Sequence, residues 1–280
     1  MQRTVGVLHP GEMGSVVAAC ARAGGARVVW ASAGRARATR ERAAEAGLED
    51  LGSLPAVVAA SDVILSVCPP HAAVDIARAV SDLGFGGLYV DGNAVSPATA
   101  REIASVLAGA RVVDGGIVGP PPTARGTTRF YLSGSDAAEV TRLFEGTALE
   151  AIALDAPVGG ASALKMAYAA WTKGTSALIM AVRALAGAEG VDEALLAEWR
   201  RSRPELPARS EEAVRGNARK AWRFVGEMEE IAATFAEAGL PDGFHLAAAE
   251  VYRRLSHYKD APTPSVADVI EMLATSARRA

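Results

Sequence analysis

The sequence predicts an α/β fold in which a doubly wound parallel sheet is followed by an all-helical C-terminal domain. Short β-rich runs alternate with alanine-rich helical stretches up to about residue 154, and such alternation is typical of a parallel sheet with helices on both faces. No β-rich run follows residue 160, where the remaining sequence has the pattern of helices broken by glycine and proline. We therefore predict a sheet domain over residues 1–158 and a helical domain over residues 159–280.

The predicted strands are short and apolar. They cover residues 5–8, 28–31, 63–67, 88–91, 112–118, 130–133 and 151–154. Because ligands of parallel sheets bind outside the carboxyl ends of the strands, the segments that directly follow the strands are the candidate sites. These segments are residues 9–14, 32–37, 68–71, 92–97 and 119–129.

Residues 5–14, VGVLHPGEMG, turn the first strand into a helix through a corner that contains glycine. Gly11 would let the backbone approach a phosphate, and Gly14 would let the helix pack close to the strand. The N–H groups at the helix N-terminus would hold a dinucleotide's pyrophosphate. We therefore expect this corner to bind a dinucleotide through His9, Pro10, Gly11, Glu12, Met13 and Gly14. His9 stands where the full fingerprint has a third glycine, and similar corners occur in units that bind no cofactor.

The segment after the second strand, ASAGRAR at residues 31–37, contains no carboxylate. An NAD-binding domain usually has Asp or Glu there to bind the ribose hydroxyls. Ser32, Arg35 and Arg37 would instead favour a 2′-phosphate. We therefore predict NADP(H) as the cofactor, with NAD less favoured. The alternative is that the two arginines only begin the solvated face of the next helix.

The composition argues against several classes of function. A net charge of −3 and a pI near 5.9 give no general attraction to nucleic acid or to an anionic membrane. Only two cysteines, Cys20 and Cys68, are present, which favours a reducing cytoplasm. The four histidines show no paired metal spacing. The chain leads directly into a strand, so no signal peptide is expected.

Lys165 begins a long apolar helix where the two predicted domains meet. Lys165, Ala169, Thr172 and Ser176 lie along one stripe of that helix. Charged residues interrupt the stretch 164–185, which favours a helix buried in protein, partly by a partner chain, over a membrane span. Burial would lower the ammonium pKa from about 10.4, so that the lysine could donate a proton near neutral pH. The alternative is a lysine whose head reaches solvent.

Four motifs in order resemble the β-hydroxyacid dehydrogenases, which include 6-phosphogluconate dehydrogenase, 3-hydroxyisobutyrate dehydrogenase and the imine reductases. They are GxxxxGxMG at 6–14, DGNAVSP at 91–97, DGGIVG at 114–119 and GGxxxxK at 159–165. HPGEMG, DGNAVSP and LKMxYAAxTKG are similar to a branch with an uncharacterised phosphogluconate-dehydrogenase-like C-terminal domain. The resemblance implies a Rossmann domain followed by a helical domain through which the protein forms a homodimer.

The resemblance also implies roles for single residues. Lys165 matches the catalytic lysine, which exchanges a proton with the substrate oxygen while the nicotinamide exchanges a hydride. Asn93 matches a position that contacts substrate or nicotinamide, although it could also be a turn residue that caps the next helix. Cys68 and Pro69, at the end of the third predicted strand, are further cofactor-binding candidates.

The chain departs from the family on the side that recognises the substrate acid. Val118-Gly119 and a run of prolines replace Ser-Gly-Gly, Ala169 replaces an asparagine, and Gly226 lies near an expected lysine. A bulkier or differently charged substrate is therefore expected, against an apolar, stiff wall at residues 118–122. Candidate substrate contacts are Val118, Gly119, Tyr168 and Thr172, and the roles of Arg125, Arg129, Glu227 and His257 stay open.

The sequence thus predicts a cytoplasmic NADP(H)-dependent oxidoreductase that interconverts a hydroxyl and a carbonyl on a small, acid-bearing organic substrate. One alternative is reduction of a C=N bond, although imine reductases commonly have Asp or Tyr in place of the lysine. The other alternative is a catalytically silent NADP(H)-responsive binding protein, which would have no need of Lys165.

Overall fold

The computed structural model describes residues 2–276 of the 280-residue chain. The chain forms two compact units, Met1–Met166 and Ala167–Ala280. Their division falls within helix α7 (Gly160–Ala188), after the predicted boundary at residue 158. None of the helices in the described part combines the length and apolarity needed to cross a membrane.

The first unit is built on an eight-stranded sheet. Its strands are β1 (Thr4–Val7), β2 (Arg27–Trp30), β3 (Glu49–Asp50), β4 (Val63–Ser66), β5 (Leu88–Asp91), β6 (Arg111–Val118), β7 (Thr128–Ser133) and β8 (Leu149–Ala153), in the spatial order β3-β2-β1-β4-β5-β6-β7-β8. All neighbours pair in parallel except β6 and β7. The short loop 119–127 holds no crossover helix, so the predicted parallel sheet has one antiparallel pair at this point.

Helices cover both faces of the sheet, as predicted. Strand residues alternate between two hydrophobic clusters: Val63 and Leu65 lie in one with Val17 of a helix, and Ile64 lies in the other with Ile103. The helices of the first unit are α1 (Glu12–Ala23), α2 (Arg37–Glu45), α3 (Leu54–Ala60), α4 (Ala73–Asp82), α5 (Pro97–Val106), α6 (Ala137–Thr141) and the start of α7.

The second unit is helical throughout its described part, as the sequence predicts. Besides the remainder of α7 it contains α8 (Asp192–Ser202), α9 (Leu206–Asn217), α10 (Ala221–Glu237), α11 (Gly243–Leu255) and α12 (Val266–Ser276). Two basic residues of α7 are paired here. Lys173 binds Glu227 of α10, and the Arg183 Nε lies 2.5 Å from Asp192 Oδ1. These two charges on a largely apolar helix are thus compensated within the unit.

One strand, β3, was not predicted from the sequence. This strand has only two residues, Glu49 and Asp50, and both are exposed and charged. Neither a run of β-branched residues nor an apolar alternation marks it, so the signals that predict the other strands are absent. β3 nevertheless pairs with β2, where Asp50 is the register partner of Trp30. A carboxylate from β3 therefore lies beside the end of β2, although the segment that follows β2 contains no acid.

Glycines in β6 allow α7 to lie directly against the sheet. A Cβ at Gly116 would be 2.6 Å from the Ala161 carbonyl oxygen and 2.9 Å from the Lys165 Cβ. Gly115 likewise has no room for a Cβ, which would be 2.4 Å from a ring carbon of Phe130. The first turns of α7 therefore rest on the backbone of β6, and this contact sets the height of Lys165 above the strand.

We predict that Gly116→Ala lowers the free energy of unfolding by about 1–3 kcal/mol, because the added methyl must displace the backbone of α7. Gly109→Ala is the matched control, since a Cβ there meets nothing within 4 Å. Urea unfolding of the two variants measures the difference. Equal stabilities would contradict the close packing of α7 on β6.

Candidate active site

The carboxyl ends of the parallel strands bring the predicted site segments to one edge of the sheet. β1 lies between β2 and β4, so the strand order reverses direction at this point. Dinucleotides and other ligands of doubly wound sheets bind at such a switch point. The segments beginning at His9, Ser32, Cys68 and Gly92 follow β1, β2, β4 and β5 at this edge.

The corner after β1 has the geometry that a pyrophosphate requires. Gly11 precedes the first residue of α1, and nothing within 4 Å would meet a Cβ placed on it. A Cβ on Gly14 would be 2.2 Å from the His9 carbonyl oxygen, so only glycine lets α1 approach the corner so closely. Phosphate oxygens can therefore reach the N–H groups at the start of α1 beside Gly11. Of the other corner residues, Pro10 is buried and Glu12 is exposed.

Arg35 places a positive charge against this corner. Its Nη2 donates to the Leu8 carbonyl oxygen at 3.1 Å. Burial and the neighbouring Arg35 lower the pKa of His9 to about 4, so His9 is neutral at pH 7. The Arg35 Nε and the His9 Nδ1 are buried without a hydrogen-bond partner in residues 2–276. These groups fit an anion, because a guanidinium and a neutral imidazole can both donate to phosphate oxygens.

Asp50 is a site residue that the sequence analysis did not identify. Its Oδ1 accepts hydrogen bonds from the backbone N–H groups of Ser32 at 3.1 Å and Gly52 at 2.8 Å. Hydrogen bonds from Ser32 lead the interactions that lower the pKa of Asp50, so the carboxylate is ionised at pH 7. The segment after β2, where the sequence predicts the ribose of a cofactor, thus carries Ser32 together with an acid from β3. The sequence feature that could have indicated this residue is an acidic pair, Glu49 and Asp50, directly before the short loop that leads into α3.

Asn93 is held in a buried network at the ends of β4 and β5. Its Oδ1 accepts from the Cys68 backbone N–H at 2.6 Å, and this donor fixes the orientation of the amide. Nδ2 then donates to Asp91 Oδ1 and to Ser66 Oγ, the latter at 3.3 Å. Asn93 is 2% exposed. The amide therefore ties the two strand ends together and directs its N–H groups inward.

Cys68 and Pro69 form the corner that Asn93 holds. Cys68 is half-buried and Pro69 is exposed. Burial raises the pKa of the Cys68 thiol to about 12, so the thiol is neutral. A neutral thiol beside an exposed proline gives this corner a mainly apolar surface, which suits contact with a nicotinamide ring more than binding of a charge.

Lys165 lies at the carboxyl end of β6. Its Nζ donates to the Ile117 carbonyl oxygen at 2.6 Å, and the side chain is half-buried. Asp114, which is fully buried, holds the start of the helix that carries this lysine. Asp114 accepts from the Gly159 N–H at 3.0 Å, the Ser162 N–H at 2.9 Å and the Ser162 hydroxyl at 2.6 Å. A carboxylate at a helix N-terminus is stabilised by these donors and by the helix dipole.

The loop after β6 is closely packed where it begins. Val118 is 2% exposed. Gly119 has φ +125°, and a Cβ there would be 2.4 Å from the Thr127 carbonyl oxygen, so only glycine fits. Arg125 binds the Gly146 carbonyl oxygen, and Arg129 donates to the Gly126 carbonyl at 3.3 Å. Both arginines are thus engaged locally by carbonyl oxygens.

The predicted substrate contacts on the later part of α7 belong to the second unit. Tyr168 is 48% exposed. The Thr172 hydroxyl donates to the Tyr168 carbonyl oxygen at 3.1 Å. Two of the residues with open roles have local partners. Glu227 pairs with Lys173, and the His257 Nδ1 lies 3.1 Å from the Arg254 carbonyl oxygen.

Comparison with known families agrees with this geometry. Residues 4–154, more than half of the chain, match the family model described as the NAD binding domain of 6-phosphogluconate dehydrogenase. Residues 186–255 match a family described as a domain of unknown function (DUF1932). The first match covers the glycine corner, the network around Asn93 and the strand that carries Asp114.

Individual relatives extend the match. The "Uncharacterized 28.5 kDa protein in 7S RNA 5′region" of Methanothermus fervidus is 28% identical over 163 residues, which are 58% of this chain and 63% of that protein. The match therefore spans less than two thirds of the relative's length. The solved structure of the conserved protein MTH1747, of unknown function and described as similar to 3-hydroxyacid dehydrogenases, is 28% identical with a TM-score of 0.70, over 91% of this chain and 98% of that chain.

A second solved structure shares the fold. The 3-hydroxyisobutyrate dehydrogenase of Mycobacterium tuberculosis, determined with L-serine, has a TM-score of 0.71 and 19% identity over 98% of this chain and 99% of that chain. The order of motifs, the sheet topology and the family match now lead to one conclusion: the chain belongs to the β-hydroxyacid dehydrogenase superfamily of NAD(P)-dependent oxidoreductases.

Proposed function

We propose that this protein is an NADP(H)-dependent oxidoreductase that interconverts a hydroxyl and a carbonyl on a small organic substrate, with Lys165 as the general acid and base. The observation that carries the proposal is the position of the Lys165 Nζ, 2.6 Å from the Ile117 carbonyl oxygen at the carboxyl end of β6. This is the edge of the sheet at which the cofactor corner after β1 also lies. Lys165 as proton donor and a bound dinucleotide would therefore lie at the same edge of the sheet.

The reaction needs a hydride transfer and a proton transfer, and the chain's own residues would carry out the proton transfer. A bound nicotinamide supplies or accepts the hydride. Lys165 gives a proton from Nζ to the substrate oxygen in the reductive direction and takes it back in the oxidative direction. The Ile117 carbonyl orients Nζ through its hydrogen bond, and Asp114 keeps the helix that carries the lysine in place. The replacement of the family's Ser-Gly-Gly by Val118-Gly119 and a run of prolines supports a bulkier substrate than a short hydroxy acid.

We predict that Lys165→Met reduces turnover by roughly a hundredfold or more while leaving the affinity for NADPH unchanged, because only the proton transfer is removed. Turnover is measured with the substrate class found in a screen of aldehydes, keto acids, hydroxy acids and cyclic imines for NADPH consumption. Lys220→Met, at an exposed lysine, is the control and should retain full turnover. Unchanged turnover of Lys165→Met would rule out the proton-transfer role.

Arg35 supports the preference for NADP(H). Its guanidinium binds the corner at the Leu8 carbonyl oxygen, and its Nε has no hydrogen-bond partner in the described part of the chain. A 2′-phosphate near Ser32 would add a charge-assisted interaction that NADH cannot make. Asp50 acts in the opposite direction, because its carboxylate next to Ser32 repels the phosphate and could accept a ribose hydroxyl. We propose that the attraction between Arg35 and the 2′-phosphate outweighs the repulsion by Asp50.

We predict that Arg35→Ala weakens NADPH binding about tenfold or more and NADH binding much less, because only NADPH carries the 2′-phosphate. Arg78→Ala is the matched control. Arg78 lies on α4, has a side chain that is 54% exposed and pairs with Asp75 and Glu102, so its loss should change neither affinity by more than about twofold. Fluorescence titrations of both cofactors measure the effect. An equal loss for NADH would contradict a phosphate-specific role.

We further propose that the protein forms a homodimer through α7. Four large apolar side chains of this helix are exposed: Tyr168 (48%), Trp171 (66%), Leu178 (47%) and Leu185 (64%). Trp171, Leu178 and Leu185 recur every seven residues, and Tyr168 lies three residues before Trp171, which is the spacing of a helix–helix seam. A second copy with the same stripe would bury it by two-fold symmetry.

The two unpaired cysteines in the described chain support the expected cytoplasmic location.

We predict that Leu178→Glu converts a dimer into a monomer, because a desolvated carboxylate would lie at the centre of the seam. The molecular mass in solution, from light scattering after gel filtration, reports the change. Leu83→Glu is the control: Leu83 is 41% exposed but lies at the end of α4 in the first unit. A dimer that persists in Leu178→Glu would contradict α7 as the interface.

A further inference from the structure

Two buried carboxyl groups lie side by side beneath the candidate active site. Asp91 on β5 and Asp114 on β6 are register partners, and they are 1% and 0% exposed. Paired positions of neighbouring parallel strands direct their side chains to the same face of the sheet. Two ionised carboxylates at such positions repel each other strongly away from water, so one of them is expected to hold a proton.

The hydrogen bonds distinguish the two groups. Asp114 accepts from two backbone N–H groups at the start of α7 and from the hydroxyls of Ser133 and Ser162. Four hydrogen-bond donors, together with the positive end of the helix dipole, stabilise a negative charge on this carboxylate. Asp91 accepts from Asn93 at Oδ1, whereas its Oδ2 is buried without a partner in residues 2–276. The negative charge is therefore much better stabilised on Asp114.

We propose that Asp91 is a positioning residue: it holds a proton on Oδ2 in the folded protein at neutral pH, and its neutral carboxyl fixes the Asn93 amide that secures the corner after β4. Asn93 donates to Asp91 Oδ1 and accepts from the Cys68 N–H, so the carboxyl, the amide and the corner form one chain of contacts. The step from this corner to cofactor binding rests on the proposed function. The protonation of Asp91 does not.

The surroundings of Asp91 offer its charged form no compensation from the titratable groups that interact with it. These are Asp114 on β6, Tyr89 on β5 and Cys68 after β4. Burial raises the pKa of both Tyr89 and Cys68, so these two stay neutral at pH 7. The four hydrogen-bond donors around Asp114 stabilise a negative charge on that carboxylate. Burial first, and then Asp114, raise the pKa of Asp91 to about 8.

Protonation of Asp91 has a definite effect on stability. An unfolded chain releases this proton near pH 4, whereas the folded protein keeps it up to about pH 8. The folded state therefore binds the extra proton between these pH values, and the contribution of Asp91 to stability falls as pH rises through this window. The folding equilibrium constant of the wild type should fall about tenfold per pH unit between pH 5 and pH 7 relative to Asp91→Asn, which cannot titrate.

Two measurements without cofactor test the protonation. Infrared spectra of the wild-type protein labelled with carbon-13 aspartate should show an isotope-shifted carbonyl band of a protonated carboxylic acid at pH 7 that disappears above about pH 9. Urea unfolding at pH 5, 6 and 7 measures the folding equilibrium constant of each protein. The constant of the wild type should fall about tenfold per pH unit relative to that of Asp91→Asn. The control variant Asp82→Asn, at an exposed aspartate, should show the same pH dependence as the wild type. Absence of the band in the wild type, or parallel slopes for Asp91→Asn, would overturn the proposal.

The positioning role has its own readout. Between pH 7 and pH 9 the wild type should lose NADPH affinity by about threefold or more, because an ionised Asp91 facing Asp114 would disturb the strand ends that carry Asn93. Asp91→Asn should keep its affinity over the same range. A parallel loss in both proteins would overturn the positioning role. If neither protein binds NADPH or NADH at any pH, the proposed cofactor fails while the infrared band still decides the protonation.

Discussion

The candidate active site depends on one buried carboxylate. Asp114 sits in β6 and accepts hydrogen bonds from the backbone and side chain at the start of α7. The helix N-terminus is positive, so carboxylate and helix stabilise each other in an interior that would otherwise disfavour the charge. Because Ser162 and Lys165 are about one turn apart, this cap also sets the position of the lysine at the end of β6.

The rest of the site follows from what this contact requires. α7 can reach Asp114 only because Gly115 and Gly116 leave the strand without side chains on the approach path. The charge on Asp114 in turn disfavours a second charge on its neighbour Asp91, which leaves that group neutral below the Asn93 amide. Two sets of buried polar contacts, one at the start of α7 and one at the corner after β4, thus meet at the register pair Asp91 and Asp114. The glycine corner after β1 completes the same edge of the sheet.

Sequence patterns predicted those parts of the fold that are local. Leu88–Asp91 was predicted with the observed bounds, and the glycine corner lies where its spacing places it, because apolar runs and glycines act over a few residues. The β6–β7 pairing direction, the two-residue strand that carries Asp50, and the inward bonds of Asn93 were not predicted. Each depends on which strands become neighbours and in which register, and a linear pattern contains no such information.

Hydrogen exchange of the backbone amides in residues 159–165, compared between wild type and Asp114→Asn, tests the central role of this carboxylate most directly. In the wild type the Gly159 and Ser162 amides donate to Asp114 and should be strongly protected. Loss of the charge should make the first turn of α7 exchange at least about tenfold faster while the amides of β1 keep their protection. Unchanged protection of that turn in Asp114→Asn would contradict the account.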